Sequence, residues 1–88
     1  MTLHDAANNG DSLLLRFLIA RGDDVDGRDE MGWTPLIRAC KFGHLECAEA
    51  LIDADAAVDQ VENDGNTALM CACDSGHHEC AQALIDAD

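Results

Sequence analysis

The sequence predicts an all-α solenoid of stacked helix pairs, and a 33-residue internal repeat is the main evidence for this fold class. The segment GWTPLIRACKFGHLECAEALIDAD, at residues 32–55, recurs without a gap at 65–88, and sixteen of the twenty-four positions are identical. A fixed period of this length is typical of stacked-repeat proteins. The 88 residues are expected to form one domain, with repeats at 1–28, 29–61 and 62–88.

The first repeat diverges in sequence but keeps the same frame. Its outer surface should be polar, as terminal units of a stack require, and Asp5, Asn8, Asn9 and Arg16 are expected to supply that polarity. The positions that match across all three repeats are Leu3, Leu36 and Leu69, then Ala6, Ala39 and Ala72, then Gly10, Gly43 and Gly76, and finally Leu18, Leu51 and Leu84.

Each repeat is predicted to contain two helices joined by a tight turn and followed by a long, hairpin-like loop. Thr34 and Thr67 are suited to be N-caps, and Pro35 to the first helical position, where its missing N–H costs nothing. The glycine that follows each first helix supplies left-handed backbone geometry and ends the helix. The predicted helices span 2–9, 12–21, 34–42, 45–54, 67–75 and 78–87.

The net charge of −13 is unevenly distributed along the chain. All five basic residues precede residue 42, together with seven acids, whereas eleven acids and no base follow. A phosphate backbone would be repelled by this field, so we expect no nucleic-acid binding, whereas the same field would be compatible with a basic protein partner. The alternative interpretation is that the acidic surface serves only solubility.

Cysteine usage and hydropathy indicate the compartment. The five cysteines are an odd number, and the sequence has neither a signal peptide nor an apolar run of transmembrane length. We therefore expect reduced cysteines and an intracellular, cytoplasmic protein that makes no membrane contact.

Two spacings suggest metal sites, but neither is a good match. The set Cys40-x3-His44-x2-Cys47 recurs 33 residues later, and thiolate and imidazole are zinc ligands. However, Gly43 interrupts the helix between the first two residues, and the cysteines fall on small apolar core positions, so we expect Cys73 and Cys80 to be buried as well. The aspartates of 53–64 lack the glycine and the final glutamate of a calcium loop. No cofactor and no catalytic set are expected.

The motif D-x-x-G-x-T-P-L-x-x-A-x-x-x-G-H-x-E, at residues 29–46, resembles an ankyrin repeat, and the resemblance covers essentially the whole chain. It implies an all-α ankyrin-repeat solenoid of stacked antiparallel helix pairs with projecting β-turn loops. The loops, or fingers, and the first helices would form a concave binding face. The resemblance also implies a non-catalytic module that binds proteins.

Several positions depart from the family pattern. The histidine usual after T-P-L is Ile37 in the second repeat and Met70 in the third, so the ties that it makes to neighbouring loops are expected to be missing. The glycine usual after the second helix is present as Gly22 but replaced by Asp55 and Asp88. Aspartate tolerates left-handed geometry better than most residues do.

Within the ankyrin frame, the exposed variable positions lie in the fingers and at the end of each first helix. Positions that match at the 33-residue period are called a column below. Trp33 and Phe42 fall at these exposed positions rather than on core columns, and tryptophan and arginine are enriched at binding hot spots. The alternative is that the two aromatic side chains simply pack on each other. The expected contact residues are Glu30, Met31, Trp33, Arg38, Lys41, Phe42, Asn63, Asp64, Asn66, Cys71, Asp74 and Ser75.

The sequence thus predicts a protein-interaction scaffold that binds through its concave face. A second hypothesis is a regulatory segment of a larger enzyme or channel that docks in cis, and a third is a metal or redox module. Apolar surface at an uncapped C-terminal end would in addition favour self-association by end-to-end stacking.

Overall fold

The computed structural model describes residues 1–87 and contains six α-helices arranged as three pairs. The predicted all-α class is confirmed, and each predicted helix boundary lies within one residue of the observed one. In residues 1–87 the only β-type pairing is an isolated bridge between Val61 and Thr67. The helices are α1 (Leu3–Asn9), α2 (Ser12–Ala20), α3 (Pro35–Lys41), α4 (Leu45–Asp53), α5 (Ala68–Asp74) and α6 (His78–Ala87).

The helices stack in two layers. In the inner layer α3 lies between α1 and α5, and in the outer layer α4 lies between α2 and α6. The alanine column of Ala6, Ala39 and Ala72 is completely buried, because side chains of this size let neighbouring inner helices approach closely. Leucines such as Leu15 and Leu51 fill the space between the layers.

The predicted caps are present. The backbone N–H groups of Ile37 and Met70 donate to the hydroxyls of Thr34 and Thr67, each at 3.2 Å. The carboxylate of Asp11 accepts a hydrogen bond from the Leu14 N–H at 3.1 Å. These local bonds satisfy backbone donors that would otherwise lack partners, and so they fix where the helices begin.

The turn between the helices of a pair requires glycine for two reasons. Gly10 and Gly43 have φ angles of 71° and 75°, in the left-handed region. In addition, the space that a Cβ would occupy on each is filled by the imidazole of the following repeat, His44 on Gly10 and His77 on Gly43. The G-H motif is therefore a contact between adjacent repeats.

The connection after each second helix projects as a finger. Asp55 adopts φ 63°, which confirms the expected aspartate in left-handed geometry, whereas Asp88 lies outside the described residues. Each finger is a hairpin-like turn closed by one backbone hydrogen bond. In the finger between α2 and α3 the Asp29 N–H donates to the Trp33 carbonyl at 3.0 Å, and in the finger between α4 and α5 the Glu62 N–H donates to the Asn66 carbonyl at 2.9 Å. The fingers continue the edge of the inner layer.

Candidate protein-interaction surface

The fingers and the solvent side of α1, α3 and α5 form one surface, called the inner face below. Most of the predicted contact residues lie on it with at least part of the side chain exposed. Fully or partly exposed are Glu30, Met31, Arg38, Lys41, Phe42, Asn63, Asp64, Asn66, Asp74 and Ser75.

The expected exposure of Trp33 and Cys71 is wrong, since both residues are buried, each with only 7% of its surface exposed. Trp33 lies beneath the side chains of Arg38, Lys41 and Phe42, which follow it in the chain. Cys71 falls on the column of Arg38, but its short side chain stays in the core cluster instead of reaching solvent. Burial raises the pKa of the Cys71 thiol, which keeps it protonated and unreactive.

Trp33 is the platform on which the side chains of Arg38, Lys41 and Phe42 pack. The guanidinium carbon of Arg38 lies 4.4 Å from the ring centroid, and the ammonium of Lys41 lies 5.4 Å from it. Phe42 lies 6.5 Å away between ring centroids at a tilt of 46°, within the range of interacting aromatic pairs. The two aromatic side chains thus pack on each other, and the cations gain cation–π stabilisation.

An ion pair connects the finger between α2 and α3 to α3 itself. Both Nε and Nη2 of Arg38 donate to Oδ2 of Asp29, the first of them at 3.0 Å. The other carboxylate oxygen accepts from the N–H groups of Met31 and Trp33, each at 2.9 Å. Partial burial raises the pKa of Asp29, but these hydrogen bonds outweigh it, and the pKa lies below its usual value.

Replacing Asp29 with asparagine should therefore lower the free energy of unfolding at pH 7 by about 1.5–2 kcal/mol, because the charge-assisted bonds to Arg38 are lost. The contribution is complete above the unfolded pKa near 3.8 and disappears as pH falls through the lower folded value. Urea denaturation at pH 7 and at pH 3 measures both effects.

The matched control is Asp23→Asn, which removes a surface ion pair, the 2.7 Å contact of Asp23 with Arg21. Solvent screens exposed pairs, so this variant should match the wild type at both pH values. An Asp29→Asn variant that behaves like Asp23→Asn would contradict the bracing role of Asp29.

Neighbouring fingers are also bonded to each other. Asn63 donates from its backbone N–H to the Met31 carbonyl at 3.1 Å and from its side-chain amide to the Glu30 carbonyl at 3.1 Å. Arg28 donates to the Val61 carbonyl at 2.9 Å. Some of the hydrogen-bonding groups of the predicted surface are therefore paired within the protein. These bonds hold the two fingers in a fixed arrangement.

His4 supplies a tie that the sequence reasoning missed. It falls on the column of Ile37 and Met70, so the first repeat carries the histidine that the later two lack. Its Nε2 donates to the Trp33 carbonyl at 2.8 Å, and since a carbonyl can only accept, Nε2 carries the proton. Aligning M-T-L-H with T-P-L-I would have revealed it.

The thiols do not form a metal centre. Cys40, Cys47 and Cys80 are buried as expected, but Cys73 is exposed, since among residues 1–87 no side chains pack over it. Among residues 1–87, no three His, Cys, Asp or Glu side chains are placed so that they could hold a metal ion. None of the six helices described has the length and hydrophobicity needed to span a bilayer.

Stacked helix pairs with projecting fingers define a repeat solenoid of the kind that serves as a protein-interaction module. A family model of ankyrin repeats in three copies matches residues 3–88, and the chain belongs to the ankyrin repeat family.

Similar proteins carry this module within longer chains. Human protein phosphatase 1 regulatory subunit 27 is 39% identical over 62 residues, which are 70% of this chain and 40% of that protein. A Caenorhabditis elegans homolog of transient receptor potential cation channel subfamily A member 1 is 40% identical over 53 residues, 60% of this chain and 4% of the channel. The crystal structure of the human ASB11 ankyrin repeat domain matches with a TM-score of 0.93 and 38% identity, covering 99% of this chain and 39% of that one.

The chain thus spans less than half the length of these proteins. The fold and the regulatory-subunit relative both point to a non-catalytic module.

Proposed function

We propose that the chain binds a protein partner through its concave inner face, without catalysis. The observation that carries the proposal is the exposure of Phe42 and Met31, at 45% and 52%, next to the buried Trp33 platform. Exposed apolar side chains on a braced support lose little conformational entropy on binding, which is the property of an anchor. Phe42 therefore replaces Trp33 as the principal anchor.

The charges on this face favour a partner segment of mixed character. Lys41 has no salt-bridge partner among residues 1–87 and stands beside Phe42. The neighbouring third repeat presents Asp64 and Asp74, both exposed, and contains no base. A complementary partner segment would place an apolar residue against Phe42, an acidic residue against Lys41 and basic residues against the acids of the third repeat. The negative charge of the third repeat would also speed the approach of a basic partner.

A second candidate is a regulatory segment that docks in cis on a larger enzyme or channel. The observation favouring it is that the relatives include a phosphatase regulatory subunit and a cation channel of which the chain spans 40% and 4%. Both candidates use the same inner face and differ in whether the partner lies in another chain.

The buried free thiols fit the reducing interior of the cell, where we place the protein.

The test compares partner binding by the wild type and by Phe42→Ala. Proteins captured from lysate are identified, purified and titrated calorimetrically against both forms. Phe42→Ala should weaken binding at least tenfold, or about 1.4 kcal/mol, because the anchor is removed. Its thermal midpoint should stay close to that of the wild type, because the side chain is half exposed.

Phe17→Ala is the matched control, since it removes an aromatic ring that is 61% exposed on the outer helix α2, away from the inner face. It should bind the partner as the wild type does. Affinity of Phe42→Ala within twofold of the wild type would overturn the assignment of the inner face. Binding to a separate domain of its own full-length protein would select the cis candidate.

A further inference from the structure

The fingers of the second and third repeats each carry a carboxylate at their base, and the two carboxylates are paired differently. Asp29 and Glu62 lie on one column. The carboxylate of Asp29 accepts hydrogen bonds from backbone N–H groups of its finger and from the guanidinium of Arg38. Glu62 accepts the equivalent backbone bond, from the N–H of Asn66 at 2.9 Å. It lacks the bond to a guanidinium, because the column of Arg38 holds Cys71 in the third repeat.

Glu62 is therefore a buried charge without a counter-charge. It is only 6% exposed, which is unusual for an acidic residue. Neither of the ion pairs formed among residues 1–87 includes it, and no lysine or arginine follows Lys41 in the sequence. Lys41 itself is held over the ring of Trp33, 5.4 Å from the ring centroid. A buried carboxylate without a cation lowers the stability of the fold, so the third repeat keeps a charge that its own packing does not use.

This difference arises within single repeats. The side chain of Asp29 is bonded to Met31, Trp33 and Arg38, all of which belong to the second repeat. No neighbouring repeat supplies its cation. The unpaired charge of Glu62 thus follows from the difference between arginine and cysteine on one column.

Other side chains of the third repeat also favour a cation at this place. Burial is the main cause of the raised pKa of the Cys71 thiol, and the charges of Glu62 and Asp74 raise it further, so both carboxylates lie near that thiol. Asp74 is exposed on the inner face. A cation beside Cys71 would therefore be attracted by two carboxylates.

The third repeat has small side chains where the second has large ones. Asn66 and Cys71 occupy the columns of Trp33 and Arg38, whose side chains stack on each other in the second repeat, with 4.4 Å between the guanidinium carbon and the ring centroid. Asn66 is partly exposed on the inner face. The place that a guanidinium fills in the second repeat is thus not filled by a side chain of the same kind in the third.

We propose that an arginine of the protein partner occupies this place, with its guanidinium paired to Glu62 as Arg38 is paired to Asp29. The inference rests on the proposed function, because it places the partner on the inner face. Arginine is favoured over lysine because its planar fork offers two N–H groups to one carboxylate, as Arg38 does through Nε and Nη2. Glu62 would then be retained for binding at some cost in stability, which is typical of functional residues.

Glu62→Gln tests the unpaired charge in the absence of a partner. Glutamine keeps an acceptor for the Asn66 N–H and removes the charge, so the thermal midpoint at pH 7 should stay at the wild-type value or rise. Asp29→Asn should lower the midpoint, because Asp29 is already paired with Arg38. A lower midpoint for Glu62→Gln would overturn the proposal, since it would mean that the charge of Glu62 is used within the chain.

Cys71→Arg supplies the missing guanidinium within the chain. It should raise the thermal midpoint above that of Cys71→Met, a control of similar length without charge, and the gain should vanish in the Glu62→Gln background. An equal midpoint for Cys71→Arg in both backgrounds would contradict the pairing. If Cys71→Arg does not fold, N-acetyl-argininamide is titrated into the wild type instead. It should shift the amide resonance of Asn66 saturably in the wild type, and an equal shift in Glu62→Gln would overturn the proposal.

The last measurement uses the partner captured in the test of Phe42. Glu62→Gln should weaken its binding at least about tenfold, because the arginine of the partner loses its counter-charge. Asp64→Asn is the matched control, since it removes an exposed charge from the same finger, and it should bind within about twofold of the wild type.

The two variants Phe42→Ala and Glu62→Gln distinguish the failure of this inference from that of the proposed function. If Phe42→Ala weakens binding and Glu62→Gln does not, the partner uses the inner face but the arginine site is wrong. If Glu62→Gln weakens binding and Phe42→Ala does not, the arginine site is supported and Phe42 is not the anchor. If neither variant weakens binding, both proposals are wrong.

Discussion

Replacing Gly43 with alanine should lower the free energy of unfolding by about 3 kcal/mol, a large share of the stability of so small a stack. The backbone at Gly43 has φ 75°, and this left-handed geometry costs a residue with a Cβ about 1–2 kcal/mol. The added Cβ would in addition lie 2.5 Å from Nδ1 and 2.6 Å from Cε1 of His77. Overpacking of this kind costs about 1–3 kcal/mol more, since the imidazole must move.

Gly76→Ala is a control within the same molecule. Gly76 has a nearly identical φ of 77°, but nothing lies within 4 Å of the Cβ position. It should lose only the backbone contribution of about 1–2 kcal/mol. The difference between the unfolding free energies of the two variants, measured by urea denaturation, therefore isolates the contact between the second and third repeats.

A double variant completes the test. Once His77 is truncated to alanine, the substitution at Gly43 has no imidazole to displace, so the further loss that it causes should fall to that of Gly76→Ala. Equal losses for Gly43→Ala and Gly76→Ala in the wild-type background would contradict the packing of His77 on Gly43.

The features predictable from the sequence are those set by local chemistry or by the repeat. The caps at Thr34 and Thr67 and the left-handed turn residues each depend on a few neighbouring positions, so the sequence contains the whole signal. The period of 33 residues then fixes which residues share a column. That is why the helix boundaries and the alanine core were predictable to within a residue.

Whether a residue is buried depends on which side chains of the next repeat pack over its column. The period alone therefore does not predict burial. Cys40 and Cys73 share a column, yet the first is buried and the second exposed, because within residues 1–87 a following repeat covers only the first. Trp33 and Asn66 share a column as well, and the polarity of Asn66 led to the wrong expectation that Trp33 is exposed. The burial of Trp33 depends on Arg38, Lys41 and Phe42, whose side-chain directions no column alignment gives.

Trp33→Ala should be the most destabilising change on the inner face, with a loss of about 3–5 kcal/mol for removal of a buried indole. Trp33 is 7% exposed and supports Arg38, Lys41 and Phe42. Its loss leaves a cavity and removes the cation–π contacts, so the hydrogen-bonded finger should also loosen. Thermal and urea denaturation followed by far-ultraviolet circular dichroism measure the effect without relying on this sole tryptophan's fluorescence.

Two comparison variants separate the support that Trp33 gives from direct contact with a partner. Phe42→Ala removes a half-exposed ring of the same cluster and should cost less than about 1 kcal/mol. Trp33→Phe keeps an aromatic platform and removes the indole N–H, which is buried without a hydrogen-bond partner in residues 1–87. Removal of that donor offsets part of the lost packing, so the variant should retain most of the wild-type stability. If Trp33→Ala were as stable as Phe42→Ala, Trp33 would not support the inner face, and a loss of partner binding in that variant would instead indicate direct contact with the indole.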